Sequence, residues 1–207
     1  MNSFLGYNTS GLTPTLLLGS EREGDDSINE NYESLAWVST RFVGWFLLWT
    51  LCEYMMHRFF HWNHPWNSFY KMHQYHHSLT LRQLTDEANR WPKPLYFLWF
   101  FDNIYETIEI VAGETVWALL IYWIDPKPGL ALLIFHYVYE LLATDSLLEH
   151  NPNLEANYGL AVGKFHLEHH RVPLCNYGFT IDIWDRVFGT YRATRGNSYV
   201  TKSDKKE

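Results

Sequence analysis

Three short boxes hold most of the histidines in this 207-residue chain. HRFFH sets His57 and His61 at i and i+4. HQYHH sets His73, His76 and His77 at i, i+3 and i+4, and HLEHH repeats that spacing with His166, His169 and His170. On a helix both spacings gather the side chains on one face. Imidazole is a ligand for iron, zinc and copper. A single histidine pair often does no more than cap a helix end or pack as a satisfied polar group, but three boxes in one small chain exceed that role. Eight or more imidazoles also exceed what one ion accepts, so the boxes predict a dinuclear metal site. Because late transition metals bind such ligands avidly, zinc or copper can occupy them adventitiously.

The remaining histidines sort by position. His150 ends an apolar stretch on the side where HLEHH begins, and it joins the expected ligands. His136 lies on the same stretch 14 residues earlier, which on a helix is roughly 21 Å up the axis at about 1.5 Å per residue. It is therefore read as structural or as part of a substrate path. His64 extends the His57/His61 stripe to i+7, but Pro65 disfavours helical geometry there. It is either a further ligand or a cap.

The elements that position the boxes come from apolar patterning. Residues 36–56 are apolar apart from Arg41, Glu53 and small hydroxyls, and about 20 helical residues cross a bilayer core. A second stretch, about 104–124, is interrupted by Glu106, Glu109 and Glu114, so its first half is expected at the interface or facing a polar interior. A third runs from Gly129 to about Glu149, after the turn sequence DPKP (125–128). Lys and Arg number five in residues 58–93 and eight in 164–206, whereas residues 1–35 carry Arg22 against six acids. By the positive-inside rule the boxes lie on the cytosolic side. One span followed by a returning hairpin brings all three boxes to that side. Trp62, Trp66 and Trp91 sit where an interfacial aromatic belt is expected.

The averages alone suggest something else. A mean hydropathy of −0.26 and a net charge of −7 resemble those of an acidic soluble protein. The 10 Trp, 14 Tyr and 13 Phe are an unusual aromatic load for such a chain. The acidic balance excludes nucleic acid as a general partner. Cys52 and Cys175 form no CxxC pair, so neither a disulfide framework nor a thiolate zinc site is indicated. Residues 1–34 lack the features of a signal peptide and are read as a polar leader. Residues 35–193 form the expected catalytic domain and 194–207 a charged tail, where KSDKKE is close to a dilysine retrieval signal but out of register.

HRFFH, FYKMHQYHHS (69–78) and HLEHH followed by NYGFTIDIWDRVFGTY (176–191) resemble the motifs of the fatty acid hydroxylase and sterol desaturase superfamily of membrane di-iron enzymes. The resemblance covers about residues 36–193. The short step from His57 to His73 and the NYG to WDxxFGT tail favour hydroxylases over acyl-CoA desaturases. It implies an all-α membrane protein with a transmembrane helical hairpin and a cytosolic-face di-metal site. Two iron ions would be held by His57, His61, His73, His76, His77, His150, His166, His169 and His170. The family's HxxxH reads Ser146 to His150 here, so one ligand is missing or is supplied by His64 or water. Glu53, Glu149, Asp182 and Asp185 stand near enough in sequence to orient imidazoles. The implied reaction is O2-dependent hydroxylation of a fatty acyl, sterol or isoprenoid lipid, with desaturation on the same site as the alternative. The alternative outside catalysis is a metal- or lipid-binding relative. The implied partners are the membrane, a lipid substrate and an electron donor, either cytochrome b5 with its reductase or a ferredoxin. The implied location in a eukaryotic cell is the endoplasmic reticulum membrane.

Overall fold

The computed structural model describes residues 22–83, 93–101, 103–143, 147–155 and 159–194, with the side chains of 22–34 and 79–83 outside the description. Trp91, Ser146, residues 1–21 of the leader and the dilysine of the tail lie outside the described residues. The chain divides into two units, Met1–Trp37 and Val38–Glu207. The first carries the start of helix α1 (Arg22–Phe60), with Leu35 and Trp37 exposed. All that follows concerns the second.

In order along the chain come the rest of α1, α2 (Ser68–Gln83), a 3-10 turn (Pro94–Leu98), α3 (Ile104–Ile110), a π turn (Val111–Thr115), α4 (Val116–Ile124), α5 (Pro126–Ala143), α6 (Lys164–Arg171) and α7 (Ile183–Val187). Among the described residues the only β pairing is one isolated bridge, Leu160 to Ile181. Two helices are long and apolar enough to cross a membrane, Leu35–Phe60 with 26 residues and Ile104–Ile124 with 21. At about 1.5 Å per residue even the shorter one spans the ~30 Å hydrocarbon core. Their outer faces carry exposed Val43, Leu47, Leu48, Met55, Leu119, Leu120 and Trp123.

The interrupted second stretch is one of those two helices, because its acids turn inward. Glu109 and Glu114 are buried, and Glu106 meets His76 across 3.4 Å. The third stretch, α5, is not among them. Lys127, His136 and Glu140 dilute it, and the last two are buried.

The α4–α5 hairpin turns at Asp125, with Pro126 and Pro128 in the first turn of α5, where a missing N–H costs nothing. Asp125 accepts a hydrogen bond from the Trp45 indole at 2.9 Å and pairs with Arg41 at 3.3 Å. Arg41, the one cation in the first apolar stretch, thus ties α1 to the hairpin. A side chain at Gly129 would place Cβ 2.3 Å from Tyr122 Cα, so only glycine lets the two helices approach this closely. Trp49, Ala118, Ile121 and Leu132 form the core where α1 meets the hairpin, with Phe46 and Phe135 packed against it.

Candidate metal centre

Four segments deliver the nine box and box-associated histidines to one place. His57 is in the last turn of α1 and His61 just beyond it. His73, His76 and His77 lie on α2, His150 in the turn after α5, and His166, His169 and His170 on α6. Their ligand atoms form two groups, each within 4.8 Å throughout: His57, His61, His73, His77 and His169 in the first, and His76, His150, His166 and His170 in the second. The groups adjoin, since the His77 and His170 rings lie 4.2 Å apart.

The donor pattern tests whether these groups suit a cation. The His57 Nδ1–H donates to the Tyr177 carbonyl and the His169 Nδ1–H to the Cys175 carbonyl, each at 2.7 Å. A carbonyl only accepts, so each ring keeps a bare lone pair on Nε2 when neutral. His73 turns Nδ1 toward Glu109 at 3.3 Å. Nevertheless the Nε2 atoms crowd inward: His57 to His73 is 3.0 Å, His61 to His73 2.9 Å, His61 to His169 2.9 Å and His77 to His73 3.1 Å. In the second group His170 lies 2.9 Å from His166 and 3.1 Å from His150. Inward lone pairs at these spacings cannot all bond one another. They fit metal ions with bonds of about 2.1 Å.

Electrostatics agree with that chemistry. Burial first, and neighbouring imidazoles second, hold His61 down at about 4 and His77 at about 2. The same causes hold His73, His150, His166, His169 and His170 well below the ordinary range. These rings are neutral at pH 7, the form that ligates. His76 goes the other way, up to about 9. Burial lowers it, but the hydrogen bond to Glu106 and the charges of Glu106, Glu109 and Glu149 outweigh that. A dication at the second group would displace a proton from His76.

The groups that orient imidazoles differ from those the sequence suggested. Glu106 faces His76, Glu109 faces His73, and Glu149 lies 3.3 Å from His166 Nε2 and 4.0 Å from His150 Nδ1. Glu53, expected to orient an imidazole, instead accepts from the Thr180 hydroxyl at 2.8 Å. Asp182 pairs with Arg186 at 2.6 Å. Asp185 acts at one remove. It accepts from the backbone N–H of Tyr177 and of Gly178, both at 2.8 Å, and so fixes the segment whose carbonyl holds His57. Asn176, at φ 55°, closes the same turn by donating to Phe165 and Arg192 carbonyls and accepting from the Arg192 N–H.

His64 belongs to neither group. It follows the helix, and its ring packs against Trp62 and Trp66 at 5.0 and 4.9 Å. His136 is also apart, as its distance along the helix required, and meets Glu114 and Glu140 instead. Beside the histidines lies a cavity with about 40 Å³ open to water centres, lined by His73, His76, Glu106, Glu109, Glu149 and Phe179 among others. That is room for about three waters.

Membrane-length helices that gather two adjoining clusters of inward imidazoles define a helical histidine-box protein. The chain belongs to the fatty acid hydroxylase family, whose model matches residues 42–190. It is 31% identical over 156 residues to a dihydroceramide fatty acyl 2-hydroxylase of Arabidopsis thaliana, covering 70% of this chain and 57% of that protein. It is also 31% identical over 160 residues to a ceramide very long chain fatty acid hydroxylase of Schizosaccharomyces pombe, covering 73% of this chain and 42% of that protein. The chain thus spans about half the length of the curated relatives it matches. No solved structure matches it.

Proposed function

We propose that this chain is a membrane-bound hydroxylase of lipid acyl chains that uses two iron ions, O2 and an external electron donor, either cytochrome b5 with its reductase or a ferredoxin. The observation that carries the reading is the convergence of bare Nε2 lone pairs in two adjoining groups, in a chain of this family. The first ion is assigned to His57, His61, His73, His77 and His169, and the second to His76, His150, His166 and His170. Bound iron would supply the redox chemistry by which one oxygen atom of O2 enters a C–H bond, while two electrons and two protons convert the other to water.

The chain's own residues do the rest. The Tyr177 and Cys175 carbonyls, Glu106 and Glu109 fix which ring nitrogen points inward. Phe60, Ile110, Ala143 and Phe179 give the cavity apolar walls, and Glu106, Glu109 and Glu149 put proton-carrying groups into it. The relatives' names point to an acyl chain carried by a ceramide or dihydroceramide as the first substrate to test. The basic segments around the boxes support a cytosolic orientation, and in a eukaryotic cell the endoplasmic reticulum membrane is the proposed location.

The test is an anaerobic purification with iron, followed by metal counting and a reaction with reductant, O2 and a lipid extract. The expected result is about two irons in the boxes and a product one oxygen heavier. A product two hydrogens lighter would make the chain a desaturase. Less than one iron in the boxes together with no O2-dependent product would overturn the reading in favour of a non-catalytic relative.

A further inference from the structure

A third convergence of ligand atoms lies away from both histidine groups, inside the helical hairpin. Glu114 in the π turn and His136 and Glu140 on α5 are 4%, 1% and 4% exposed, and one ligand atom from each lies within 4.8 Å of the other two. His136 Nδ1 is 3.5 Å from Glu114 Oε2 and 3.7 Å from Glu140 Oε1. Glu114 Oε2 and His136 Nδ1 are both buried with no hydrogen-bond partner.

Thr115 fixes the state of the ring. Its hydroxyl donates to the Ile110 carbonyl at 3.4 Å and accepts from the Trp99 indole at 3.4 Å. His136 Nε2 lies 3.0 Å from the same oxygen. A hydroxyl has a single hydrogen, so Nε2 carries the proton and Nδ1 presents a lone pair to two carboxyl groups. Three oxygen and nitrogen donors thus face one another where water is scarce, and they need a positive charge between them.

The π turn puts them there. Glu109 and Glu114 are five residues apart, which on a regular α-helix separates them by about 140°. The wider turn over Val111–Thr115 swings Glu114 back toward the interior and carries Thr115 with it. Single π turns inside helices recur at functional sites. The Trp49 indole holds the Glu114 carbonyl at 3.1 Å, and the Trp49 and Trp99 rings flank His136 at 5.4 and 5.2 Å.

We propose that Glu114, His136 and Glu140 form a third metal site, for a divalent ion of the zinc type. Two carboxylates and a dication sum to zero charge, which suits burial between membrane helices. With bonds of about 2.1 Å, the edge of a tetrahedron is ~3.4 Å, whereas neighbouring ligands of a six-coordinate ion lie ~3.0 Å apart. The spacings here, 3.5 and 3.7 Å, match the first, and the 2.9–3.1 Å contacts of the histidine groups match the second. Thr115 takes the outer ring N–H, the usual support of a ligating histidine. Glu114 and Glu140 also line the cavity, which offers a water as the fourth ligand. Glu114 and Glu140 share a side-chain hydrogen bond, whose proton the ion displaces.

The test loads the full chain in detergent with zinc or cobalt(II) and counts ions per chain. The native protein is expected to hold one ion beyond those of the histidine groups, with the intense visible absorption of four-coordinate cobalt. His136→Ala and the isosteric Glu140→Gln should each remove that ion or weaken it at least tenfold and abolish the absorption, while the other ions stay. His169→Ala should lose ions from the histidine groups and keep the cobalt signal. Equal metal content and absorption in the native protein and in a folded Glu140→Gln variant would overturn the proposal. A His169→Ala variant with unchanged metal would instead overturn the histidine-box reading and leave this site standing.

Discussion

His57 and Tyr177, 120 residues apart, are joined by a 2.7 Å hydrogen bond from the imidazole Nδ1–H to the backbone carbonyl. The bond exists because Asp185 gathers the turn around Tyr177, accepting from two backbone N–H groups and from the Thr190 hydroxyl at 2.7 Å. Asp185→Ala leaves those buried donors unsatisfied at about 1–3 kcal/mol each. The variant is expected to lose several kcal/mol of stability and part of its metal, as read by thermal unfolding in detergent and by metal counting. A Tm within a degree of the native value would contradict the role given to Asp185.

Glu106 and Glu109 reach His76 and His73 from the neighbouring helix. Replacing either with Ala should weaken metal retention by about 10–100-fold, the usual cost of losing an outer support of a ligating histidine. Competition with a graded series of chelators measures it.

His64 and His169 separate a spectator from a proposed ligand. His64→Ala is expected to keep the native metal content, and His169→Ala to lose most of the ion in the first group. Metal analysis of the two purified variants, side by side, decides whether box membership or three-dimensional position predicts ligation.

Gly129 is where α5 passes closest to α4. Gly129→Ala should cost about 1–3 kcal/mol by overpacking, seen as a lower unfolding temperature. An unchanged one would mean that the hairpin can separate without cost.

The helices and the gathering of the boxes were legible because local spacing carries both. i, i+3 and i+4 histidines share a face on any helix, and Pro65 marked the end of the first helix before His64. The partners of those histidines were less legible. The carbonyls of Tyr177 and Cys175 have no sequence signature, since every residue has a carbonyl. Glu106 and Glu109 were visible only as interruptions of an apolar run, and nothing local says that an acid points inward. Nearness in sequence misassigned Glu53 and Asp182, whose side chains reach Thr180 and Arg186. The Glu140 partner of His136 stood in plain view at i+4. Glu114 did not, because a π turn breaks the period by which helical neighbours are counted.

Both histidine groups draw on α6, near the end of the chain. A nascent polypeptide that stops before Lys164 has four members of the first group and two of the second. Neither group is whole until synthesis has passed His170. Metal acquisition is therefore a late event in the life of each molecule, and chains truncated upstream of α6 are born without the means to complete it.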